Sequence, residues 1–79
     1  MDRKIRKSAE VPFGYNISVL RTERGYTQDY MVSQLQQQGI KISREIYSQI
    51  ERGVHDIPAS WLISIRDILD VSLDDIFKC

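Results

Sequence analysis

Between Ser43 and Arg52 the chain reads Ser-Arg-Glu-Ile-Tyr-Ser-Gln-Ile-Glu-Arg, and most of its reactive or hydrogen-bonding side chains lie around two apolar anchors. If the stretch is helical, Tyr47 and Ile50 fall three apart on one face, leaving Arg44, Glu45, Ser48, Gln49 and Arg52 mostly on the other. Guanidinium and amide groups pair bidentately with nucleobase edges, and Arg44 and Gln49, about a turn and a half apart, are spaced to meet neighbouring bases. Glu45 can accept from the amine of a cytosine. Hydroxyls and the free N–H groups at helix starts suit phosphate oxygens, which makes Ser43, Thr27 and Gln28 candidate backbone clamps, with Arg52 a further phosphate contact. A polar helix face is common in any bundle, so the pattern needs its context.

Other chemistries find less to work with. His55 stands beside Asp56, but no second histidine or cysteine is near, and the pair reads as a loop that meets water or phosphate rather than a catalytic or metal site. Asp70, Asp74 and Asp75 lack the glycine and terminal glutamate of a calcium loop and read instead as acids at a helix start. Trp61 reads as a core or dimer-interface residue, and Tyr15 and Tyr30 as packing residues. A chain of 79 residues has little room for an enclosed substrate pocket. No catalytic residue, cofactor, metal or small-molecule substrate is expected.

The elements that must position these groups follow from apolar spacing and helix punctuation. Ile17 and Leu20 at i, i+3, with a stop at Gly25, predict a helix over 13–24. Thr27 is an N-cap candidate, with Asp29 complementing the dipole and Tyr26 set to staple onto Met31. The second helix presents Met31, Val32 and Leu35 on one face and fades through Gln36-Gln37-Gln38, a solvated last turn, to Gly39. After the extended link Ile40-Lys41-Ile42, Ser43 repeats the start signal and Gly53 the stop, giving a third helix over 44–52, with Ile42 set to staple onto Tyr47. Pro58 suits a first helical position, and Leu62, Ile65 and Leu69, widened by Trp61 and Ile68, predict a fourth helix over 58–69. Ser72 to Asp75 fits a capping box, with Val71 set to staple onto Ile76, and opens a short fifth helix running to about residue 78. No strand pattern stands out. The expected fold is all-α: a compact five-helix bundle over 12–79, preceded by a flexible basic arm over 1–11.

Formal charge is zero, yet it is unevenly spread. Up to Gly53 nine bases face six acids; beyond it two bases face five acids, so the first part balances at +3 and the second at −3. One end of the molecule can favour a polyanion while the other repels it, although solvated surface charge accounts for the same numbers. No apolar run approaches the roughly 20 residues that cross a bilayer, and no apolar stretch follows the charged start as in a secretory signal. The lone Cys79 has no disulfide partner and no assigned role. A cytoplasmic, soluble protein is expected.

Three stretches, “RGYTQ” at 24–28, “SQIERG” at 48–53 and “LDVSLDDIF” at 69–77, occur in this order within segments beginning at Leu20, Ser43 and Leu69. Together they resemble the phage Cro and repressor family, also called the xenobiotic-response-element (XRE) family, over residues 13–77. The resemblance implies a lambda-repressor-like helix-turn-helix domain that binds double-stranded DNA as a bacterial or phage-type transcriptional regulator, most often a repressor. It places a recognition helix at 43–52 in the major groove, with Arg44, Glu45 and Gln49 at bases, Gln28 opening the first motif helix against a phosphate, and Ser43 and Ser48 on the backbone. It also implies an ion pair between Arg21 and Glu51 that holds the recognition helix. The chain departs from the pattern at Val32, where a small alanine is usual, in a longer connector ending “GIKIS” that resembles one branch of the family, and in the loop Val54-His55-Asp56-Ile57, which lacks bases.

Symmetric operators need two recognition helices about one DNA turn apart, so a homodimer on a palindromic operator is expected. The last helix, with Ile76 and Phe77, is the candidate dimer surface unless both residues cap the core. The competing expectation is a protein-interaction module of antitoxin-like or anti-repressor type, which the neutral charge and the base-poor loop favour. Arg44, Gln49 and the basic arm disfavour it.

Overall fold

The computed structural model describes residues 4–5 and 12–78. Among the described residues five helices pack around one apolar core: α1 Phe13–Glu23, α2 Gln28–Gln37, α3 Arg44–Glu51, α4 Ala59–Leu69 and α5 Leu73–Phe77. Three of them start on a hydroxyl cap that takes up an otherwise unpaired backbone N–H. Thr27 Oγ1 accepts from Tyr30 N at 3.0 Å and Ser43 Oγ from Ile46 N at 3.1 Å. Ser72 and Asp75 form the reciprocal capping box, each side chain accepting from the other's backbone N–H at 3.2 Å. α4 ends differently, on Asp70 in the left-handed region at φ 57°, a conformation in which a carboxylate-bearing residue is tolerated and glycine is at ease.

Two short strands, β1 (Lys4–Ile5) and β2 (Ile57–Pro58), form an antiparallel pair with Lys4 opposite Pro58 and Ile5 opposite Ile57. Lys4 and Ile5, expected within a flexible arm, thus pair with the segment before α4, and the sequence shows no strand pattern at either place. Strands of two residues are too short for a period-two pattern to register in the sequence. Ile57, read as part of a loop, is fully buried, which anchors β2 on the core. Pro58 is consequently extended at ψ 145° and precedes α4 instead of opening it. The rest of the expected arm, and Cys79, lie outside the described residues.

α1 packs against both α3 and α5, and α2 against α3 and α4. The contact of α1 with α3 is backbone to backbone. A Cβ on Gly14 would sit 2.3 Å from the Ile50 carbonyl oxygen and 2.9 Å from that of Glu51, so no larger residue fits without moving a helix. In the same first turn of α1, Asn16 Nδ2 donates to the Ile76 and Lys78 carbonyls at 2.7 Å each, satisfying acceptors that the end of α5 leaves open. Ile76 is wholly buried, which removes it from the expected dimer surface; Phe77 is half-buried against the core.

The long connector between α2 and α3 is tied down. Ile42 is buried, Gln36 Nε2 donates to the Ile42 carbonyl at 2.9 Å, and Ile40 N reaches back to Leu35 O at 3.1 Å. Gln36 therefore does more than solvate a last turn. Val32, larger than the alanine of the resembling family, is accommodated in the core. Among the described residues no helix is long and apolar enough to cross a membrane.

Candidate nucleic-acid interface

α3 is held from beneath by apolar and ionic contacts. Tyr47 and Ile50 are fully buried. Glu51, also buried, takes a forked pair of hydrogen bonds from Arg21: Nε to Oε2 at 2.7 Å and Nη2 to Oε1 at 3.1 Å, with the two side chains only 15% and 4% exposed. Arg21 Nη1 also donates to the Tyr26 carbonyl at 2.8 Å, joining α1, the turn before α2, and α3. The hydrogen bond with Glu51 raises the pKa of Arg21, opposed in part by burial. Burial, and secondarily the Glu51 carboxylate, push the Tyr47 hydroxyl well above its ordinary value; that hydroxyl finds no hydrogen-bond partner among the described residues.

On the outer side, Arg44 and Glu45 are exposed and Gln49 half-exposed. The side chains of Glu45 and Gln49 make no hydrogen bond among the described residues, so both keep their full donor and acceptor capacity for a partner. Arg44 is already engaged: Nε donates to Gln28 Oε1 at 2.9 Å and Nη1 to Asp29 Oδ1 at 2.7 Å. Gln28 in turn donates through Nε2 to Glu51 Oε1 at 2.9 Å. A continuous chain of hydrogen bonds therefore runs from Arg21 through Glu51 and Gln28 to Arg44. Gln28, expected on a phosphate, has its carbonyl and one of its two N–H groups committed within the protein.

Of the candidate phosphate contacts, Thr27 and Ser43 are both exposed. Thr27 and Ser43 use their oxygens as helix caps, but a capping hydroxyl keeps its own O–H to donate. Ser48 is half-exposed and Arg52, at the C-terminal cap of α3, exposed. Beyond Ser43 lies an open groove of about 640 Å³ along the connector, bordered by Gln36, Lys41 and Ile46. In the following loop His55 bonds through Nδ1 to the Asp56 backbone carbonyl, not to a carboxylate.

Sequence reasoning missed Asp29 as a partner of Arg44, because the two are fifteen residues apart across the connector. It missed Gly14 and Asn16 too, although a glycine inside a helical pattern is a recognisable signal of close approach. Tyr15 and Tyr30, read as packing residues, are 66% and 41% exposed; Tyr30 stacks at a tilt on Tyr26, ring centroids 4.5 Å apart. Trp61 is half-buried against the core.

Comparison of the chain with protein-family models, with curated proteins and with solved structures finds no match.

Proposed function

We propose that this chain is a helix-turn-helix protein of the Cro and repressor type that binds double-stranded DNA sequence-specifically, with α3 as the recognition helix and α2 crossing the backbone. The observation that carries the reading is the division of α3 into two faces: one sealed by Tyr47, Ile50 and the Arg21–Glu51 pair, the other offering Arg44, Glu45 and Gln49 to solvent. A short helix fixed rigidly beneath and hydrogen-bonding above is what direct readout of a major groove requires. Thr27, Ser43, Ser48 and Arg52 supply donors on the flanks, suited to phosphates. On this reading the protein is a cytoplasmic transcriptional regulator, a repressor that acts as a homodimer on a palindromic operator.

A second reading has an observation of its own. Residues 12–53 carry five bases against four acids, and the one guanidinium at the head of α3 is paired with Asp29. A surface so nearly neutral also suits a protein partner, as in an antitoxin-like or anti-repressor module. Selection from a random duplex pool separates the two. For a DNA reader it yields an enriched palindrome that is lost in the Arg44→Ala, Gln49→Ala double variant. Absence of enrichment even at low salt, where phosphate contacts are strongest, makes the protein-interaction module the better account.

A further inference from the structure

The amide of Gln28 has only one orientation that satisfies its surroundings. The Glu51 carboxylate, which already takes two hydrogen bonds from Arg21, offers acceptors alone, so the Gln28 NH₂ group must face it. The Gln28 carbonyl oxygen is thereby turned to the start of α3, where it accepts from Arg44 Nε. Asp29 takes a second of the guanidinium's hydrogens at Nη1. The side chain at position 44 must therefore be a donor, and this one is gripped at two nitrogens while Nη2 makes no bond among the described residues.

Arginine has five N–H groups and no acceptor, so three donors remain after these two contacts, both on Nη2 and one on Nη1. A pair of adjacent donors matches a pair of adjacent acceptors. In the major groove only guanine offers two acceptors side by side, O6 and N7; adenine sets an acceptor beside a donor, and thymine an acceptor beside a methyl group.

Resting on the DNA-reading role proposed for α3, we infer that Arg44 reads guanine, and that Gln28 and Asp29 are the positioning residues that give it this preference. Gln28, braced from behind by the buried Glu51, fixes the direction of the guanidinium. Asp29 steadies it and offsets the positive charge that would otherwise draw it to any phosphate, trading affinity for sequence dependence.

The test uses the full chain and the duplex recovered from a random pool. The operator position whose preference vanishes in Arg44→Ala is located, and affinity is measured by fluorescence anisotropy with each base pair there and with 7-deazaguanine, which lacks the N7 acceptor. The wild type is expected to prefer guanine by on the order of 10- to 100-fold, and 7-deazaguanine to lose most of that preference. In Gln28→Ala and in Asp29→Ala the preference at that position should collapse while the others persist, and Asp29→Ala should also bind unrelated duplexes more tightly. Asp29→Asn, which keeps the acceptor oxygen, should retain much of the preference. Because Asp29 is exposed, its variants keep the test informative if Gln28→Ala fails to fold. An Arg44-dependent position that is not guanine, or a guanine preference unchanged in both alanine variants, overturns the inference while leaving DNA reading intact. Failure to enrich any duplex overturns both.

Discussion

The two ends of α3 are each fixed by an arginine and a carboxylate, but under opposite conditions. At the C-terminal end Arg21 and Glu51 meet almost without solvent, beside a contact so close that Gly14 leaves no space for a methyl group. At the N-terminal end Arg44 and Asp29 meet at the same 2.7 Å with side chains 56% and 76% exposed. Coulomb attraction between exposed charges is screened by water and opposed by side-chain entropy, whereas a buried charge left alone keeps its whole desolvation cost. The sealed end therefore fixes where α3 lies, and the open end can exchange one partner for another. Gln28 is the link, donating to the sealed pair and accepting from the open one.

Substitutions that break one end and spare the other sharpen this contrast. Glu51→Ala strands the Arg21 guanidinium in a largely buried place, and a loss of about 3–5 kcal/mol in unfolding free energy is expected from urea titration. A loss below about 1 kcal/mol would mean that the sealed end is no different from a surface pair. Gly14→Ala at the same end should cost about 3 kcal/mol, since the new methyl group meets backbone oxygens that cannot rotate away.

Tyr47 gives the sealed end a pH signature. Its folded pKa is raised, chiefly by burial, above the value of about 10 that it has in the unfolded chain. Below pH 10 both states keep the proton and nothing is lost; above it only the unfolded chain ionises freely, so stability falls by about 1.4 kcal/mol per pH unit. Tyr47→Phe should remove that part of the alkaline slope and change stability at pH 7 by less than about 1 kcal/mol, because the hydroxyl has no hydrogen-bond partner to lose among the described residues. Equal slopes for the two proteins between pH 10 and 11 would contradict the assignment. The smallest effect belongs to the open end: Asp29→Ala should shift unfolding by less than about 1 kcal/mol, measured in the same titration.

The helix boundaries were legible because they rest on local chemistry. Thr27, Ser43 and Ser72 each announce a cap to the turn that follows, and the helices begin where those hydroxyls place them. The apolar faces of α2, α3 and α4 were legible through spacing for the same reason. Contacts set only by the assembled fold were not. Nothing near Asn16 announces that it closes a helix about 60 residues away, and nothing in Lys4–Ile5 announces Ile57–Pro58. At the candidate site the polar residues of α3 could be named from composition and period, but the bond of Arg44 to Asp29 depends on how the connector folds back.

The most direct measurement of the central claim is a nuclear magnetic resonance titration of the isotope-labelled protein with its selected duplex. If α3 reads DNA, the largest backbone amide shifts fall on residues 27–30 and 43–49, with side-chain shifts at Arg44 and Gln49. Shifts confined to other faces of the molecule, or none on adding duplex at low salt, would contradict it.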